Sequence, residues 1–185
     1  METLRALLVQ RAARLQEWPA VSAPGWGTLK YPAFRNRVEG VALGLMAAPP
    51  PRVFSRGAGP WDWACEVACA SCGLLWDPAG EVDPGILGGP RFNREEGRQP
   101  YHDCDPTPET PFTAALAHAG LLAGLRRLNG RLGWDHDSAV TLPLGDLGTP
   151  EVRTALWSAL YAGAHAILMA GPVRGWDPTP FAGLF

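Results

Sequence analysis

The 185-residue sequence is short of charge and almost devoid of lysine. Only 18% of its residues are charged, and Lys30 stands alone against 15 arginines, a skew that GC-rich coding explains without selected chemistry. With a formal net charge of -2, the chain lacks the clustered basic surface that attracts a phosphate backbone, so nucleic acid is not the expected partner. The one local basic strip, RFNREEGR, sets Arg91, Arg94 and Arg98 beside Glu95 and Glu96, which cancel most of it and leave a solvated loop.

Long apolar runs are equally scarce. The opening METLRALLVQRAARLQEW carries Glu2, Arg5, Arg11 and Arg14 where a secretory signal needs an apolar stretch, so a cytoplasmic protein is expected. TALWSALYAGAHAILMAGPV is uncharged, but it contains His165 and many small residues and ends on Gly171-Pro172. It predicts a buried core helix and no membrane association. No internal repeat is visible, and the eight tryptophans form no spaced stacking platform.

What is present suffices for one domain over residues 1–185, since 46% of the chain is apolar and the length allows a sizeable core. Thr3 can cap a first helix carrying Leu4, Leu7, Leu8 and Leu15, which Pro19 ends. PAVSAPGWG reads as a connector. A second helix is expected from Ala33 to Ala47, with Phe34, Val38, Val41 and Leu45 on one stripe. A third is expected from a Thr110 cap to an Asn129-Gly130 stop, and a fourth from Thr149-Pro150 to Gly171-Pro172. His118 and His165 fall inside these last two and read as hydrogen-bonded core histidines, ahead of a buried pair or metal ligands.

Three of the four cysteines crowd into WACEVACASCGLLW. On a helix Cys65, Cys69 and Cys72 would share one face as small buried hydrophobes, with Asp62 capping and Gly73 closing. In a turn, Cys69 and Cys72 of CASCG would wrap one tetrahedral ion. Trp63, Cys65 and Val67 alternate before that turn, LLW follows it, and DPAG turns the chain again. That strand, knuckle and strand resemble the first half of a zinc ribbon over about fifteen residues. The second half departs from the ribbon pattern: only His102 and Cys104, in YHDCD, are offered. Reduced thiols in the cytoplasm favour metal or burial over disulfides. Residues 77–111 hold seven prolines and five glycines, a stretch that something should pin.

These features predict a mainly α (α+β) fold of about four helices with a small β-rich or irregular insert near 60–106, pinned by one metal. The expected metal is zinc, held by Cys69, Cys72 and Cys104 with His102 or Cys65 as the fourth ligand; four thiolates around an iron-sulfur cluster are the alternative. A closed four-ligand site leaves no position for substrate, so a non-catalytic, zinc-stabilised interaction or assembly protein of adaptor type is expected. A rival is a metal-dependent hydrolase built from His102, Asp103 and Asp105 together with Asp135, His136 and Asp137. The closing GWDPTPFAGLF suits docking on a protein partner or self-association.

Overall fold

Thr3 starts the first helix as its side chain predicts: its hydroxyl accepts the Ala6 N–H at 3.2 Å, and helix α1 runs Leu4–Arg14 with Leu4, Leu7 and Leu8 buried. The structure, a computed structural model, describes residues 2–47, 53–54, 59–77 and 105–185. After α1 come β1 (Pro19–Ala23), β2 (Gly27–Lys30), α2 (Tyr31–Ala47), β3 (Val53–Phe54), α3 (Pro60–Cys72) and β4 (Trp76–Asp77). The second half has β5 (Pro111–Thr113), β6 (Leu116–Ala117), α4 (His118–Leu132), β7 (Ala139–Pro143), α5 (Pro150–Ala162) and β8 (His165–Met169). Single 3-10 turns occupy Leu144–Asp146 and Thr179–Phe181.

The expected mainly α fold is corrected to an α/β arrangement. Its main sheet has the order β2-β1-β8-β7: β1 pairs antiparallel with β2, while β1 with β8 and β8 with β7 are parallel. Val21 lies opposite Ala166, and Leu142 opposite Leu168. The connector expected at residues 19–27 is therefore a hairpin, and Pro19 is accommodated because it is the first residue of its strand.

The long apolar run after Thr149 divides into a helix and a strand. Gly163, at φ 90°, ends α5; a side chain there would be strained by the left-handed backbone, and its Cβ, 2.6 Å from Leu15 Cδ1, would push that leucine aside. The chain then returns as β8 alongside β7, which makes β7-α5-β8 a parallel strand-helix-strand unit. Residues 111–117, expected as the start of a helix, instead form the short β5–β6 pair, and α4 runs on past Asn129 to a cap at Gly133.

Helices α1, α2 and α3 pack on one another, and α4 packs on α5. The predicted α2 stripe of Phe34, Val38, Val41 and Leu45 is buried. Aromatic rings join the two groups: Phe34 stacks on Trp63 at 6.3 Å, Trp63 meets Trp157 edge-on at 5.0 Å, and Phe112 meets Trp157 at 5.5 Å. Such pairs add about 0.5–1.5 kcal/mol each beyond the area they bury. Within this core the Glu66 carboxylate of α3 accepts from the Arg153 guanidinium of α5 at 2.8 Å and from Trp157 Nε1 at 2.8 Å.

The metal-pinned insert is also corrected. Its first residues belong to α3, where Cys65, Cys69 and Cys72 line a continuous helix at 0%, 0% and 5% exposure. The glycine read as part of a metal knuckle, Gly73, is the left-handed cap of that helix, donating its N–H to the Cys69 carbonyl. His102, Asp103 and Cys104 lie outside the described residues. Among the described residues no helix is long and apolar enough to cross a membrane.

Candidate functional site

Open parallel sheets bind ligands beyond the carboxyl ends of their strands, where loops diverge and side chains from different strands can converge. Strands β7 and β8 end side by side at Pro143 and Met169. After β7 the chain makes the 3-10 turn that carries Asp146, and Thr149 then caps α5. Its hydroxyl accepts the Val152 N–H at 3.4 Å and donates to the Asp146 carbonyl at 2.8 Å. Pro150 and Glu151 fill the first turn of the helix, where an acidic group is stabilised by the helix dipole.

The chain leaving β8 supplies the opposite wall. Trp176 stacks on buried Phe181 at 5.3 Å with ring planes 16° apart, which fixes the indole at the cleft. Asp177 accepts the Thr179 N–H at 2.9 Å, and hydrogen bonds from Thr179 hold its carboxyl below the usual carboxylate range. The resulting cleft of about 390 Å3 is lined by Asp146, Thr149, Glu151, Trp176, Pro178, Thr179 and Ala182. Two carboxylates beside an indole favour a cationic group: the acids attract it, and the ring adds cation–π energy.

The residues singled out from the sequence lie elsewhere. Burial pushes the Cys69 thiol well up, assisted by the neighbouring Cys65, so this sulfur sits in the core as a protonated thiol, and Cys65 and Cys72 are buried beside it on the same helix. Asp105 pairs with Arg5 at 2.5 Å. Asp135 closes its own turn, accepting the Asp137 N–H at 3.0 Å and the Ser138 hydroxyl at 2.9 Å. These bonds, the Ser138 one first, lower its pKa. No group of three or more His, Cys, Asp or Glu side chains among the described residues could hold a metal, which overturns the metal-binding expectation there.

His118 and His165 are engaged separately. His118 Nδ1 accepts the Leu4 N–H at 3.2 Å, and burial pushes its pKa down to about 4, so the ring is neutral. Nε2 of His165 meets Ser22 Oγ at 2.8 Å, and that hydroxyl lies 2.7 Å from Thr28 Oγ1. The sequence marks Thr149 and Pro150 as a helix start but not as a site, because nothing local identifies residues 139–143 as the strand that leads to Asp146.

No family model and no curated protein matches the sequence. Solved structures do match its fold. The Klebsiella oxytoca NpsA N-terminal subdomain, in complex with 3-hydroxyanthranilyl-AMSN, superposes with a TM-score of 0.67 at 12% identity, covering 94% of this chain and 55% of that one. The fatty acyl-adenylate ligase of L. pneumophila, in complex with acyl adenylate and pyrophosphate, gives 0.63 at 13% identity over 92% of this chain and 40% of that one. VinN in complex with L-aspartate gives 0.64 at 12% identity over 94% and 63%. The chain thus spans between 40% and 63% of these proteins' lengths. At such identities the likeness establishes a shared fold. The α/β framework and the thiols packed inside a helix correct the expectation of a zinc-stabilised adaptor. The hydrolase and iron-sulfur alternatives rest in part on His102, Asp103 and Cys104, which lie outside the described residues.

Proposed function

We propose that the chain carries the acid-recognising part of a carboxylate-activating ligase, and that the acid it takes bears an amino group. The observation that carries this reading is the acid-lined cleft at the carboxyl ends of β7 and β8, on a framework like that of a fatty acyl-adenylate ligase. Asp146 and Glu151 would receive the ammonium, and Trp176 would cover it with its ring face. The same two carboxylates direct the substrate's own carboxylate away from them, toward the open side of the cleft. VinN, whose structure holds L-aspartate, supports an amino acid as ligand class.

The lining of this cleft does not fit a nucleoside triphosphate. Among the described residues lining it there is no cationic side chain, and its two carboxylates oppose phosphate. The cleft is therefore assigned the acid's end of the reaction and no part of the nucleotide's.

Calorimetry with L-aspartate and other aliphatic amino acids, against matched acids lacking the amino group, tests the reading. Amino-bearing acids are expected to bind, and Asp146→Asn to weaken them roughly tenfold, about 1.4 kcal/mol. Equal binding of the amino-free acids, or binding that ignores Asp146→Asn, would remove the assignment.

A further inference from the structure

A second crevice, between α4, α5 and residues 180–184, has the opposite charge character. It encloses about 110 Å3 between α4, α5 and the closing segment, and Arg127, Arg131, Thr154 and Gly183 are among the residues lining it. Arg127 and Arg131 are four residues apart on α4, so their side chains project from the same face. Both are exposed, and neither forms an ion pair among the described residues.

Thr154 supplies the second, independent observation. It is fully buried, yet its hydroxyl has no hydrogen-bond partner among the described residues. A helical threonine normally satisfies its hydroxyl on a carbonyl three or four residues back, and Ser158 on the same helix does so on the Thr154 carbonyl at 2.7 Å. Leaving a buried hydroxyl unpaired is unfavourable unless a ligand supplies the missing partner. The opposite wall is set closely: Leu184 packs on α4 at Gly124, where an added Cβ would lie 2.3 Å from Leu184 Cδ1.

We propose that this crevice is a binding site for a phosphate group, with the Thr154 hydroxyl donating at its base and the Arg127 and Arg131 guanidinium groups closing on the remaining oxygens. Guanidinium forks match the geometry of a tetrahedral oxyanion, and an exposed pair can swing inward at little cost. The volume admits one phosphate, so either inorganic phosphate or the end of a phosphate monoester fits. The site is independent of the amine-binding cleft: they share no lining residue except Ala182.

The test is titration of the whole chain with inorganic phosphate and, separately, with methyl phosphate, followed by amide NMR shifts at Gly124 and Gly183. Saturable shifts are expected, weakening as salt is raised. The Arg127→Gln/Arg131→Gln double variant should bind roughly tenfold or more weakly, because charge-assisted hydrogen bonds are lost. Thr154→Val should also weaken binding while leaving the melting temperature unchanged or raised, since it removes an unpaired buried hydroxyl; Thr154→Ser should restore binding. Tighter binding of methyl phosphate identifies a monoester as the ligand, and tighter binding of inorganic phosphate identifies the free ion. Absence of saturation with both, or saturation untouched by the variants, overturns the proposal.

Discussion

Helix α3 and the β7-α5-β8 unit use chemically capable side chains in opposite ways. In α3, three thiols, Asp62 and Glu66 are all buried, and Glu66 is committed to Arg153 and Trp157. In β7-α5-β8 the carboxylates of Asp146 and Glu151 sit at strand and helix ends and line an open cleft. The density of cysteines in α3 does not by itself make a site, because a side chain's chemistry is available only where the fold leaves it reachable. A buried thiol is a small hydrophobe held in its protonated form. An ordinary aspartate beyond a strand end stays reachable.

The strongest way to break that contrast is to remove Glu66. Glu66→Ala strands the Arg153 guanidinium, itself only 2% exposed, without its partner. Breaking a buried pair from one side costs about 3–5 kcal/mol. In a chain of this length each kcal/mol moves the melting temperature by about 2–4 °C, so a fall of roughly 10 °C is expected by calorimetric scanning. Glu66→Gln should fall less, because its amide oxygen can still accept from Trp157. Glu151→Ala, at the cleft, should change stability by no more than about 1 kcal/mol. Equal losses at the two positions would erase the distinction drawn between interior and site.

A smaller effect separates the regions by pH. His118 has an ordinary pKa of 6.5 and a folded value of about 4, lowered by burial. Its folded pKa lies below its unfolded one, so the unfolded chain binds the proton more readily. The stability contributed by the neutral ring is complete above about 6.5 and is lost as pH falls toward 4. Between these limits about 2–3 kcal/mol should disappear, read as a falling urea midpoint. His118→Asn keeps an acceptor for the Leu4 N–H and should flatten this dependence. An unchanged pH profile in that variant would place the titration elsewhere.

Legibility in the sequence followed the range of the interactions. α1 was readable from Thr3, its leucine spacing and Pro19, because caps and periodicity are local. The stripe of α2 and the Thr149-Pro150 start of α5 were readable for the same reason. β8 was hidden: HAILM continues the apolar run of α5 without a change of composition, and only the left-handed backbone at Gly163 divides them. The β1–β8 pairing joins residues more than 140 positions apart and leaves no local signature. The cysteine spacing of four and three was a helical signal, but the glycine after it suited a knuckle as well as a cap. The candidate cleft was unreadable as a site because it exists only once β7 and β8 lie side by side.

The mildest test compares one residue type in two places. Thr3 and Thr149 cap α1 and α5 through the same kind of bond, to Ala6 N–H and Val152 N–H respectively. Replacing either with alanine should cost about 1 kcal/mol, seen as similar shifts in urea midpoint. Only Thr149 also donates to the Asp146 carbonyl, at 2.8 Å, and so holds the turn that presents the Asp146 carboxylate to the cleft. Thr149→Ala should therefore weaken binding of amino-bearing acids several-fold, whereas Thr3→Ala should leave it unchanged. Thr149→Ser, which keeps both hydrogen bonds, should restore stability and affinity together. If Thr149→Ala loses stability while binding stays intact, Asp146 is held by the backbone of its own turn, and the cap serves the helix alone.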